Sequence, residues 1–217
     1  MSEPAVISNE NKTSTATIDA DVVLAQFCQQ GWAVIADFLP ATLNQLLLNE
    51  ARFTAELTPA GVGRARDHVI NQQVRRDQTQ WFDGKSAAQQ QYLHLMQQLQ
   101  LQLNRSFFLG LFDFECHFAR YQFGDFYQKH FDAFSGRSNR VLTTVSYLNT
   151  VSAGGELVLY GPDDQVLSHI TPQAGSLVIF ESERFAHEVL HAIDDRYSIA
   201  GWFRHNNSIN GIIDPSR

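Results

Sequence analysis

Apolar side chains recur three and four residues apart through much of the first half of the chain and two apart through most of the second, so the sequence predicts helices first and strands after. DVVLAQFCQQ, from Asp21, reads as a short helix stopped by Gly31, WAVIADFL as a strand, and ATLNQLLLNEARFTAEL as a helix entered after Pro40. SAAQQQYLHLMQQLQLQLNRSFF returns to helical spacing. Its glutamines are interleaved with Tyr92, Leu93, Leu95, Met96, Leu99 and Leu101, which form a core-facing stripe rather than a low-complexity tract. Between these helices, residues 61–84 carry glycines and clustered arginines without an apolar period, the texture of a mobile loop or hairpin.

After Phe112 come eight short β-like runs separated by Gly, Asn, Asp and Pro: FECHFARYQF, DFYQKHFDAF, RVLTTVSYLN, GELVLYG, QVLSHIT, SLVIFES, AHEVLH and RYSIAGWF. They predict a mainly β fold with flanking helices, closed or built of two antiparallel sheets, of which the jelly roll is the eight-stranded member. A chain of 217 residues suits one substantial core. The expected plan is a disordered leader over 1–19, a single domain over 20–205 (helical support 20–110, β core 111–205) and a C-terminal tail over 206–217. Alternation sorts the last run into two faces. Arg196, Ser198, Ala200 and Trp202 suit a polar pocket, whereas Tyr197, Ile199 and Phe203 suit an apolar exterior under helices. By the same parity Val145 faces inward with Tyr147, and His117 with Tyr121.

Composition narrows the function classes. With 44% hydrophobic and 18% charged residues the chain is too apolar to be disordered, and a net charge of -7 gives no global field toward phosphate backbones or anionic membranes. Neither nucleic acid nor membrane is therefore an expected partner. Cys28 and Cys116 lie far apart without CxxC spacing, which argues against a disulfide framework or thiolate metal site. The N-terminal residues lack the basic and apolar regions of a signal peptide, and no stretch reaches the roughly 18 apolar residues of a membrane span, so a cytoplasmic protein is expected.

Candidate chemistry begins at His130-Phe131-Asp132, where an imidazole and a carboxylate two residues apart point to one face of an extended strand and can share an ion. With 8 His and 14 Asp, about half an occurrence of HxD is expected by chance, so the tripeptide alone decides nothing. His187 follows 55 residues later at the edge of another run, and Arg196 nine residues after it. Two neutral imidazoles and a carboxylate on one face of an octahedral ion leave three positions open, as in non-haem Fe(II) oxygenases. Taken singly, each histidine reads as structural and Arg196 as a surface ion-pair partner; the combination carries the metal reading. His68, His94, His169, His191 and His205 fall outside the pattern.

This order and spacing resembles the 2-oxoglutarate oxygenase superfamily, and in detail its prolyl-hydroxylase branch, including the animal oxygen-sensing enzymes and their bacterial relatives. The matching residues are Tyr121 within ARYQFGDFYQKHFD, SYLN at 146–149, AGGEL at 153–157, HEV at 187–189 and RYSIAGW at 196–202. The resemblance implies a double-stranded β-helix (jelly roll, cupin-like) with the N-terminal helices packed on one sheet. It implies Fe(II) on His130, Asp132 and His187, 2-oxoglutarate as cosubstrate with its far carboxylate on Arg196, and ascorbate as reductant. Tyr147 resembles the tyrosine that helps bind that carboxylate. Tyr121, Tyr127, Val145, Leu157, Val189 and Trp202 resemble walls of the same cavity. Asp132 is retained, whereas halogenating members have lost this carboxylate, so hydroxylation with O2 is implied. Ala200 departs from the oxygen-sensing branch, which carries a hydroxyl-bearing residue there.

VRRDQTQWFDG resembles the finger over the active site of prolyl hydroxylases that act on proteins, with Arg75, Asp77 and Trp81 in place, and Arg140 resembles an arginine at the barrel mouth. The plain reading of these arginines is a solvated face. The implied substrate is a prolyl residue in a cytoplasmic protein, of the translation-factor or ribosomal-protein class suggested by the bacterial relatives. Two alternatives stand beside it: hydroxylation of a free amino acid or small metabolite, and a non-catalytic iron- and 2-oxoglutarate-responsive binding protein.

Overall fold

The computed structural model describes residues 20–61, 71–133, 139–206, 208–209 and 212–213. The expected leader lies outside these residues, as do 62–70 of the arginine-rich segment and most of the tail. The chain opens with α1 (Ala20–Gln30), β1 (Trp32–Ile35), α2 (Ala41–Phe53), β2 (Thr58–Pro59), β3 (Gln78–Trp81) and α3 (Ala87–Phe107). Eight strands follow: β4 (Asp113–Tyr121), β5 (Tyr127–His130), β6 (Arg140–Tyr147), β7 (Leu157–Tyr160), β8 (Val166–Ile170), β9 (Leu177–Glu181), β10 (Ala186–Val189) and β11 (Arg196–Arg204). A short pair, β12 (Ser208–Ile209) and β13 (Ile212–Ile213), lies within the expected C-terminal tail.

The helices form where the apolar stripes predict. Ser86 caps α3 by accepting a hydrogen bond from the Gln89 amide at 3.0 Å. Glu50 of α2 accepts from both Ser86 Oγ (2.7 Å) and Gln89 Nε2 (2.6 Å), which ties the two helices together at that cap. The buried faces of α2 and α3 supply Leu43, Leu47, Tyr92, Met96, Leu99 and Leu103 to a core shared with Cys116, Phe118, Tyr197, Ile199 and Phe203 on the back of the large sheet. Burial of each such side chain stabilises the fold by roughly 1.5–3 kcal/mol. No described helix is long and apolar enough to cross a membrane.

Two antiparallel sheets make the barrel, one ordered β1-β9-β6-β11-β4-β3-β2 and the other β5-β10-β7-β8. The two sheets therefore share all eight predicted runs, as a jelly roll requires, and β1, β3 and β2 extend the large sheet at its edges. Its inner face carries a second core of Ala119, Tyr121, Val145, Tyr147, Val178 and Phe180, facing Leu157, Leu159 and Val189 of the small sheet. The alternation read from RYSIAGWF holds, because Tyr197, Ile199 and Phe203 pack outward under the helices.

Register fixes three cross-strand rows on the inner face. Ala119, Ser198 and Tyr147 lie side by side, as do His117, Ala200 and Val145, and then Glu115, Trp202 and Thr143. Consecutive rows on one face are about 6.6–6.8 Å apart along the strands.

Candidate active site

His130 ends β5 and stands directly opposite His187 of β10 in the ladder. Asp132 lies beyond the end of β5, in a bend, so it reaches the histidines through the turn of the chain and not by strand alternation. Convergence is nonetheless close. Asp132 Oδ1 is 3.6 Å from His130 Nε2 and Oδ2 is 3.4 Å from His187 Nε2. One ligand atom from each residue falls within 4.8 Å of the others, a spacing that admits one ion between them.

The orientation of each ligand has a cause. His130 Nδ1 donates to the Gln128 carbonyl at 2.8 Å and His187 Nδ1 to the Phe185 carbonyl at 3.3 Å, which leaves both Nε2 lone pairs for the common point. Thr143 Oγ1 donates to Asp132 Oδ2 at 2.9 Å and so must accept from Ser182 Oγ, also at 2.9 Å. Tyr127 stacks on the His130 ring with centroids 3.6 Å apart, and Phe180 meets His187 edge-on. Burial and the neighbouring His187 lower the His130 pKa, which keeps the imidazole neutral. Burial pushes Asp132 upward, but the charge and hydrogen bonding of His187 and His130 in their protonated forms, the state reached in acid without an ion, outweigh it and hold the carboxyl well below the usual range.

Arg196 is 2% exposed, on the inner face of the large sheet beside Tyr121 and Tyr147. Its guanidinium lies over Tyr121 at 4.8 Å and Tyr147 at 4.9 Å and donates to Ser198 Oγ at 3.1 Å. Among the described residues no carboxylate pairs with it, and Arg196 Nε and the Tyr147 hydroxyl lack hydrogen-bond partners. A buried cation without an anion costs several kcal/mol. The guanidinium and the phenol together suit an anionic group with several acceptor oxygens, as a carboxylate has. Gly155, at φ +67°, makes room for the Arg196 side chain, since a Cβ there would sit 3.0 Å from Arg196 Cδ.

The remaining expected residues fall into two groups. Val145, Leu157 and Val189 are buried in the inner core, and Trp202 is buried on the same wall. Arg75, Asp77, Trp81 and Arg140 surround the cavity, but the arginines are engaged. Arg75 forms a bidentate pair with Asp77 (2.7 and 2.6 Å) and covers the Tyr127 ring at 4.1 Å. Arg140 pairs with Glu115 at 2.8 Å and lies 3.5 Å over Trp202. Trp81 sits on β3 opposite His117. Sequence reasoning missed Thr143 and Glu115 as supports. Thr143 shares the parity of Val145 and Tyr147 and was findable; Glu115 requires the register between β4 and β11.

The donor set fits Fe(II) and a 2-oxo diacid: two neutral imidazoles and a carboxylate at one end, an unpaired guanidinium and phenol at the other. A family model for the 2OG-Fe(II) oxygenase superfamily matches residues 116–204. A prolyl-4-hydroxylase from Pseudomonas putida is 40% identical, with a TM-score of 0.76 over 87% of this chain and 100% of that one. A prolyl hydroxylase from Trichoplax adhaerens, solved in complex with a hypoxia inducible factor oxygen degradation domain peptide fragment, is 26% identical, with a TM-score of 0.74 over 85% of this chain and 88% of that one. No curated protein matches the chain.

Proposed function

The chain belongs to the 2OG-Fe(II) oxygenase superfamily, in its prolyl-hydroxylase branch, and from that premise we propose that it hydroxylates a prolyl residue of a cytoplasmic protein in the translation-factor or ribosomal-protein class. It is a dioxygenase that uses Fe(II) and 2-oxoglutarate, with ascorbate as reductant. Bound iron and 2-oxoglutarate supply the O2-dependent oxidation of an unactivated C–H bond, with succinate and CO2 as co-products. His130, Asp132 and His187 are assigned as the iron ligands, and Arg196 with Tyr147 as the clamp on the far carboxylate. Val145, Leu157, Val189, Tyr121 and Trp202 exclude water between the two ends. Residues 20–205 act as one catalytic domain.

The observation that carries this reading is the buried Arg196, with no carboxylate partner among the described residues, between the same two sheets as three convergent ligand side chains. A protein substrate is supported by the Pseudomonas relative over nearly the whole chain and by the peptide seated on the Trichoplax enzyme. Beside the ligand residues the half-buried Arg75, Tyr127 and Trp81 offer a polar and aromatic rim that suits a peptide, with Arg75 held in place by the buried Asp77.

Mass spectrometry of proline oxidation in cells carrying the wild type or His130→Ala tests the proposal. One prolyl site should carry an added oxygen only with the wild type. Succinate release from 2-oxoglutarate without any oxidised protein would favour a metabolite substrate, and no succinate release under reducing Fe(II) conditions would favour a binding protein.

A further inference from the structure

Residues 73–81 join the two sheets on the side that carries His130. β5 is an edge strand of the small sheet, and residues 74–76 pair with it. Arg75 faces Tyr127 in an isolated bridge, the Arg76 amide donates to the Phe126 carbonyl at 3.0 Å, and the Gln128 amide donates to the Val74 carbonyl at 2.9 Å. From Gln78 onward the same segment, as β3, pairs with β4 of the large sheet. Asp77 stands between the two pairings. It is 1% exposed and accepts two hydrogen bonds from the Arg75 guanidinium, at 2.7 and 2.6 Å. A third, at 3.4 Å, runs from Arg75 Nη1 to the Gly61 carbonyl.

The guanidinium so fixed lies over the Tyr127 ring, 4.1 Å from its centroid, in cation–π contact. Tyr127 in turn lies flat on the His130 imidazole, with centroids 3.6 Å apart and planes 16° from parallel. At that spacing the imidazole fills one face of the phenol ring, so the guanidinium takes the other. Asp77, Arg75, Tyr127 and His130 thus form one continuous stack. The hydrogen bond from His130 Nδ1 to the Gln128 carbonyl still lets the imidazole tilt about the line of that bond, and the flat face of Tyr127 resists the tilt. The guanidinium holds Tyr127 against it. Because Asp77 neutralises Arg75, the stack constrains the ligand without setting a net charge beside an incoming cation.

We propose that Arg75 and Asp77 are positioning residues of the iron site: acting through Tyr127, they hold the His130 imidazole in the orientation that binds the ion. The proposal rests on the assignment of His130 as a ligand and gives two rim residues a role that requires no substrate. Metal affinity then depends on a segment that supplies no ligand, because its pairing with β5 and its buried ion pair keep the stack closed.

Manganese affinity, measured by competition titration without cosubstrate or substrate, tests this. Arg75→Met made together with Asp77→Leu removes the ion pair as a unit, a replacement that buried pairs often tolerate, and leaves net charge unaltered. Affinity should fall about 10-fold. Tyr127→Leu, which keeps the ion pair, should cost about as much, and combining all three changes should cost little more, because the pair acts only through the ring. Arg75→Lys, which keeps a cation for both the ring and Asp77, should bind manganese nearly as the wild type does. Arg76→Met, on the same segment but over Phe126 at 5.3 Å, should leave affinity unchanged. Circular dichroism of each ion-free variant reports that the barrel has folded. Wild-type affinity in the paired variant or in Tyr127→Leu overturns the proposal. So does a full further loss when the changes are combined, an equal loss in Arg76→Met, or an Arg75→Lys that binds no better than the paired variant. Failure of the ligand assignment shows separately, as unchanged affinity in His130→Ala, and the proposal falls with it.

Discussion

His130 and His187 face each other across a single rung of the β5–β10 ladder, with ring centroids 4.3 Å apart. The rung belongs to a sheet of four strands, so backbone pairing sets the spacing of the two residues, and the hydrogen bonds from each Nδ1 to the Gln128 and Phe185 carbonyls, with the Tyr127 and Phe180 rings, hold the imidazoles in place. The ligand geometry is therefore built before any ion arrives.

Removal of a ligand should abolish binding and turnover together. Asp132→Ala and His130→Ala are expected to lose the manganese-induced stabilisation, which in the wild type amounts to about 2.7 kcal/mol at an ion concentration 100 times the dissociation constant and is seen as a rise in unfolding temperature. Thermal scans with and without manganese measure this. A full rise in Asp132→Ala would contradict the assignment.

Thr143→Val keeps volume but removes the hydrogen bond to Asp132. Supports of this kind are worth roughly 10–100-fold in metal affinity, so the variant should bind manganese more weakly by that factor while 2-oxoglutarate still reaches Arg196. Competition titration of the metal reads the first effect, and the cosubstrate KM at saturating iron the second.

Arg196→Met should raise the KM for 2-oxoglutarate about 100-fold or more, since a charge-assisted pair is lost. In the ligand-free protein the same change removes a buried cation that lacks an anion. Its unfolding free energy should accordingly stay level or rise by about 1–3 kcal/mol. Denaturant unfolding without ligand checks this, and a large loss would mean that the guanidinium is structurally paired.

Acid should weaken the site through two groups acting in the same direction. Because His130 is lowered from its usual value near 6.5, the unfolded chain binds a proton that the folded chain refuses between the lowered value and about pH 6.5. Its contribution is complete above about pH 6.5 and is lost as pH falls through that window. Asp132 is held well below the carboxylate range, so its contribution is complete above about pH 4 and is lost as pH falls through the folded-state value. Unfolding temperature and manganese affinity should both be level above about pH 7 and fall below about pH 6.5. A flat profile down to about pH 5 would contradict this.

The eight barrel strands were legible because each is a short run rich in apolar, β-branched or aromatic residues bounded by turn formers, and the alternation in RYSIAGWF even revealed which face meets the helices. QTQW was not legible as β3, since its half-buried polar residues carry no alternation and join the sheet only through pairing with β4. Strand parity found Arg196, Tyr147 and His117. It could not show that Asp132 leaves the strand, nor that Arg140 is committed to Glu115 across 25 residues of sequence, because both depend on where separate segments are brought in space. The arrangement of the site was thus visible by type and spacing, whereas the partners that orient it were set by register.

The central claim is that one ion and one diacid share this cavity, the ion on His130, Asp132 and His187 and the far carboxylate on Arg196. A crystal structure grown without oxygen in the presence of manganese and 2-oxoglutarate tests it most directly. The account predicts the ion at about 2.0–2.3 Å from both Nε2 atoms and an Asp132 oxygen, with the far carboxylate within hydrogen-bond distance of Arg196 and Tyr147. An ion held elsewhere, or a diacid whose far carboxylate leaves Arg196 unpaired, would contradict it.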